Sequence, residues 1–99
     1  MAKEIKWTKT AAKNFAKTVA YLEENWHETV VSEFVRRTYE LLLLLSEFPK
    51  LGELQDNKRE IRGILITKHN KLFYRTDKNN LIVLKIFDTR QNPRKLRFR

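Results

Sequence analysis

The sequence has no cysteine, only two glycines and two prolines, and no long apolar run. Without cysteine, neither a disulfide nor a thiolate zinc site can hold the chain together, so its stability has to come from packing. The glycines, Gly52 and Gly63, stand apart, which excludes a glycine-rich phosphate-cradling loop, and no nucleotide or other cofactor is expected. The longest apolar run, Leu41 to Leu45, is far short of the roughly 20 residues that cross a bilayer. The charged opening Met1-Ala2-Lys3-Glu4-Ile5-Lys6-Trp7 lacks the apolar stretch of a secretory signal, so a cytoplasmic location is expected. Only two histidines occur, His27 and His69, neither at metal-ligand spacing from another ligand, and no metal site is expected.

What is present is an ordinary globular composition and an uneven charge. The 99 residues are expected to form a single domain over residues 1–99, and 11% aromatics argue against disorder. Net charge is +9. Residues 1–57 carry eight Lys or Arg against nine Asp or Glu, whereas residues 58–99 carry thirteen against three. The whole excess lies in the C-terminal part, and a field of that sign attracts polyanions, whether nucleic acid or an acidic protein.

The hydrophobic period changes along the chain. Ala2 to Lys6 reads as a short edge strand. Trp7, Ala11, Phe15, Val19, Leu22 and Trp26 then recur every three or four residues, the signature of a helix, with Thr8 or Thr10 as its cap. Val31, Phe34, Val35, Thr38, Leu41, Leu42 and Leu45 predict a second helix opened at Glu28 or Thr29, and the short connection predicts a helix hairpin. Five consecutive leucines exceed one core-facing stripe, so some must form a second apolar surface. Pro49 and Gly52 end the helix, and Leu51 to Asn57 reads as a polar loop. Three β-rich runs follow, Arg59 to Thr67, Lys71 to Thr76 and Asn80 to Phe87, joined by turns at His69-Asn70 and Asp77-Lys78-Asn79-Asn80. The predicted fold is α+β, in the order β-α-α-β-β-β, with the helix hairpin on one face of a twisted antiparallel sheet and the basic strands on the open face.

Alternate strand residues share a face, and a face mixing Lys68, Lys71, Phe73, Tyr74 and arginines suits nucleic acid: cations bind phosphate and rings stack on bases. His69 is the candidate for acid–base work. The first helix carries an oddity. Lys9 and Lys13 sit in its first turns and Glu23 and Glu24 in its last, against the helix dipole at about 0.3–1 kcal/mol per exposed charge. Such an arrangement fits a helix whose lysines, Lys17 included, extend a basic surface.

Four segments together resemble the RelE/ParE toxins of type II toxin–antitoxin systems: Trp7-Thr8-Lys9-Thr10-Ala11 leading to Tyr21-Leu22, Phe48-Pro49-Lys50-Leu51-Gly52, Lys68-His69-Asn70-Lys71-Leu72-Phe73-Tyr74-Arg75, and Phe87-Asp88-Thr89-Arg90-Gln91-Asn92-Pro93. The resemblance spans nearly the whole chain and implies a helix hairpin on a twisted sheet. It also implies a cognate antitoxin, encoded beside the toxin and often acidic. RelE-like members cut messenger RNA on the ribosome with arginines, lysines and a tyrosine or histidine near the C-terminus. ParE-like members inhibit DNA gyrase, with no established hydrolytic site. On the first reading Arg62, Arg75 and Arg90 converge on the open face to hold the scissile phosphate, with His69 or Tyr74 supplying the proton chemistry. The chain departs from both patterns: Leu96-Arg97-Phe98-Arg99 has no Tyr or His, and Asp88 stands where many ParE-like sequences carry His. The alternatives are gyrase inhibition and an inactive relative that binds only its antitoxin or nucleic acid.

Overall fold

The computed structural model describes residues 2–98; Arg99, the last residue of the basic tail, lies outside them. Strand β1 (Glu4–Trp7) runs into helices α1 (Lys9–Asn25) and α2 (Glu28–Glu47), which are followed by β2 (Glu53–Asp56), β3 (Ile61–Thr67), β4 (Asn70–Thr76), β5 (Asn80–Asp88) and a single 3-10 turn (Pro93–Lys95). Both helices cover one face of a five-stranded sheet ordered β1-β5-β4-β3-β2. The expected architecture is present, with two differences. The sheet is mixed, because β1 pairs parallel to β5, Glu4 opposite Asn80 and Trp7 opposite Val83. The tight turns of the meander force β3, β4 and β5 antiparallel, but no turn links β1 to its neighbour. The second difference is β2, expected as loop. It is a short edge strand on β3 that is almost wholly exposed, so backbone hydrogen bonds, not an apolar face, define it.

Local chemistry explains the boundaries. Thr8 caps α1 by accepting a hydrogen bond from the Ala11 amide at 3.1 Å. Its hydroxyl also donates to the carbonyls of Val83 (3.0 Å) and Leu84 (3.1 Å), where the β4–β5 register shifts. One side chain thus caps a helix and satisfies two carbonyls of an irregular strand. His27 caps α2, its Nδ1 accepting from the Thr29 amide at 3.2 Å, which gives this histidine a structural role. Asp77 closes the β4–β5 turn by accepting from the amides of Asn79 and Asn80, and those bonds lower its pKa.

Between helices and sheet lie Ala11, Phe34, Leu42, Leu45, Ile66, Leu72, Tyr74, Leu81, Val83 and Ile86. Phe15 links the two helices to β1, stacking on Phe34 at 5.6 Å and meeting Trp7 edge-on at 5.4 Å. The expected burial holds fully for Phe34, while Trp7, Phe15 and Leu22 are half-buried and line the core's rim. The leucine run divides as its length requires. Leu42 and Leu45 are buried, and Leu43 and Leu44 are exposed, in company with exposed Phe48, Leu51 and Leu54.

Phe34→Ala is expected to lose about 3–5 kcal/mol in a denaturant titration, and Phe15→Ala less, because its ring is half out of the core. Equal losses would show that the rim and the centre are not distinguished as the burial implies. Acid should weaken the fold as well. Asp77 and Asp88 have lowered pKa values, Asp77 first through the Asn79 amide and Asp88 first through the Arg90 side chain. Their contribution is complete above the unfolded carboxyl pKa of about 4 and is lost as pH falls through the folded values. In Asp77→Asn, the acid-induced fall in melting temperature should be smaller than in the wild type.

Candidate polyanion-binding site

Tyr74 organises the loop that follows α2. It is fully buried on the helix-bearing face of β4, donates to the Pro49 carbonyl at 2.7 Å and accepts from the Gly52 amide at 2.9 Å. Burial raises its pKa. Gly52 is required for this approach, since a β-carbon there would stand 2.7 Å from the Tyr74 oxygen. The expected role of Tyr74 on the nucleic-acid surface is therefore corrected: its ring touches the core and its hydroxyl is engaged twice by backbone.

Arg62 belongs to the same assembly. It pairs across the sheet with Tyr74, and its Nη1 donates to the Gly52 carbonyl at 2.8 Å and the Lys50 carbonyl at 3.4 Å. Arg75 is exposed and one residue further along β4, so the strand's alternation turns it to the opposite face. Arg62 and Arg75 still border one cleft of about 400 Å³ at this end of the sheet, beside Lys3, Lys50 and Glu60. Arg90 is elsewhere. It follows β5, whose Asp88 pairs with Asn70 at the other end of β4. Arg75 lies five residue steps along β4 from Asn70, roughly 17 Å away. The three arginines therefore do not converge on one phosphate.

The open face is basic and aromatic, but part of it is covered. Phe73 lies over Gly63, where a β-carbon would meet its ring at 3.0 Å. The C-terminal tail folds back so that Phe98 packs edge-on against Phe73 at 5.1 Å, with the Arg59 guanidinium 5.7 Å from the Phe98 ring centre. Phe73 is left 3% exposed, so a nucleobase reaches it only if Phe98 moves. Lys71 shares this face, its Nζ 5.5 Å from the Phe73 ring centre and 3.3 Å from Gln55 Oε1. Lys85 pairs with Phe73; burial, then Arg97, lowers its pKa.

At the far end, His69 and Lys68 form the β3–β4 turn and border an apolar pocket of about 510 Å³ floored by Leu22, Val30 and Phe34. Beside it, between α1 and the end of β5, opens a cleft of about 430 Å³ that includes Lys17, Tyr21, Asn70, Arg90 and Lys95. Asp88 grips Arg90 there through Nε (3.0 Å) and Nη2 (2.8 Å). The strand reading missed this cleft because α1 and the tail supply most of its cations. Its sequence signal was Lys17, the α1 lysine expected to extend a basic surface. Among the described residues no group of three metal-ligating side chains occurs.

Two helices against a five-stranded mixed sheet, bearing a basic C-terminal half, define a small toxin-like α+β protein. Residues 5–93 match the family model described as the ParE toxin of the type II toxin–antitoxin system parDE. The chain belongs to that family. No curated protein sequence matches it. Among solved structures, it resembles a chain of the chromosomal ParDE system from P. aeruginosa at TM-score 0.73 and 14% identity, covering 88% of this chain and 96% of that one. It also resembles the YoeB dimer from Staphylococcus aureus (TM-score 0.65, 17% identity, 88% and 97% covered). A YoeB/ParE toxin from Agrobacterium tumefaciens is similar too (TM-score 0.63, 14% identity, 86% and 96% covered).

Tyr74→Phe is expected to cost about 1–3 kcal/mol, because it leaves the Gly52 amide and the Pro49 carbonyl without their buried partner. A loss below that range in chemical denaturation would show that water replaces the hydroxyl.

Proposed function

We propose that the protein is the toxin of a type II toxin–antitoxin pair that acts as a ParE-like inhibitor of DNA gyrase rather than as a ribonuclease. One observation carries this choice. A ribonuclease of the expected kind needs its arginines gathered on one phosphate, with an acid–base side chain beside them. Here Arg62 is engaged by loop carbonyls, Arg90 stands at the opposite end of the sheet, and Tyr74 is buried. His69 lies at the Arg90 end, away from Arg62 and Arg75. Pre-organised donors aimed at the developing charge usually supply the largest share of such catalysis, and a dispersed set cannot act together. The family model adds support through its ParE description.

The antitoxin this reading requires has matching chemistry. The exposed strip Leu43, Leu44, Phe48, Leu51 and Leu54 offers an apolar track, and the +9 charge favours an acidic chain. An antitoxin encoded beside the toxin, acidic and in part helical, covers both features.

The test has two arms. Expressed alone, the protein should arrest bacterial growth, and co-expression of the adjacent antitoxin should restore it. Purified protein should block supercoiling of relaxed plasmid by gyrase while leaving ribosome-bound message intact in primer extension. Cleaved message with supercoiling unaffected would refute the gyrase target and return the ribonuclease reading. Normal growth at high soluble expression would remove the toxin reading altogether.

A further inference from the structure

The cleft between α1 and the end of β5 gathers hydrogen-bond donors beside one carboxylate and the apolar Ile86 and Phe87. Lys17, Lys85, Arg90 and Lys95 bring four cations, and Asn70 and the Tyr21 hydroxyl stand with them. Asn14 Oδ1 accepts the Ile86 amide at 3.2 Å, so this side chain offers the cleft only its NH2 group. The one carboxylate, Asp88, holds the Nε and Nη2 edge of Arg90, and its Oδ1 also takes the Arg90 amide at 2.9 Å. Asp88 thereby orients the guanidinium and leaves Nη1 unengaged. A fixed guanidinium, three ammonium groups and neutral donors around one open volume favour a ligand with several acceptor oxygens and a full negative charge. Phosphate has that chemistry.

We propose that this cleft binds a phosphate of a nucleic-acid backbone. The strand continues from it onto the open face of the sheet. Lys85 borders the cleft and also pairs with Phe73 on that face, with Arg97 near enough to repel its charge. Cations crowded in this way extend the site beyond one phosphate and favour a strand over a free ion. Of the α1 lysines, Lys17 alone reaches this site and forms one wall of it. The proposal is independent of the target proposed above, because it concerns only what this chain binds.

The experiment is fluorescence anisotropy of a labelled single-stranded DNA oligonucleotide against the full chain across a salt series. Variants are Arg90→Gln, Lys17→Gln and the remote Lys50→Gln, which removes the same charge. The first two should lower affinity several-fold and each reduce the log–log salt slope by about 0.7, the increment of one phosphate contact on a single strand. Lys50→Gln should leave the slope unchanged. If Arg90→Gln and Lys17→Gln behave like Lys50→Gln, the site is wrong. Should Arg90→Gln unfold, exposed Lys17→Gln decides alone. Poly-glutamate binding that depends on Lys17 and Arg90, with DNA binding that does not, would assign the cleft to an acidic polypeptide and overturn the proposal. Inorganic phosphate supplies the last arm, followed by amide NMR at Asn70, Arg90 and Lys95. Shifts with phosphate that the oligonucleotide does not reproduce at lower concentration would replace the strand with a small phosphate ligand.

Discussion

The Tyr74 hydroxyl joins two parts of the chain that would otherwise be free to separate. The segment after α2 must leave the helix, turn, and start an edge strand whose own side chains bury almost nothing. With no apolar face to hold β2, the geometry of that segment depends on the hydroxyl bonded to Pro49 and Gly52, and on Arg62 bonded to the carbonyls beside them. Tyr74 can do this only because β4 is the centre of the sheet and its ring is fixed between Leu72 and the helices. The same anchoring withdraws Tyr74 from chemistry and ties Arg62 to the loop through Nη1.

Much of the fold was legible because it rests on period. The switch from a three-to-four-residue repeat to alternation located both helices and all three strands of the meander within a few residues. What could not be read depends on contacts distant in sequence. The four-residue strand β1 carries no information about direction, since nothing in Glu4–Trp7 records that it will lie beside Leu81 and Val83. Glu53–Asp56 has the composition of a loop, and only the backbone of β3 makes it a strand. The site was less legible for a similar reason. The register that pairs Arg62 with Tyr74 puts Arg62 and Arg75 on opposite faces, yet a family pattern naming both invites them onto one. His27, which the sequence marked only by its lack of metal-ligand spacing, is a helix cap.

Charge explains why the basic half remains strongly basic once folded. Asp77 and Asp88 are engaged locally and do not neutralise distant cations. Asp77 accepts from the amides of its own turn, and Asp88 holds Arg90 two residues away. Such contacts sharpen turns and orient a side chain while leaving the long-range field in place. Exposed pairs of this sort contribute little to stability, so their effect is positional. In residues 1–57, Glu33 and Glu40 both pair with Arg36 along one face of α2.

The open face shows how a small protein treats an unused sheet surface. A bare face carrying Phe73 and Ile61 would expose apolar area that invites association. Gly63 lets the Phe73 ring lie flat across β3, and Phe98 then covers its edge. Arg59 packs on Phe98 and Arg75 lines the same hollow, so the cover is rimmed with cations. The tail therefore hides the Phe73 ring while leaving the surrounding positive charge exposed. Without the ring, binding to this face is governed by phosphate, which carries no sequence information. A nucleic acid held there would be gripped by its backbone and not read. Such grip suits a protein whose target is an enzyme engaged with DNA of any sequence better than one that must select a cleavage site.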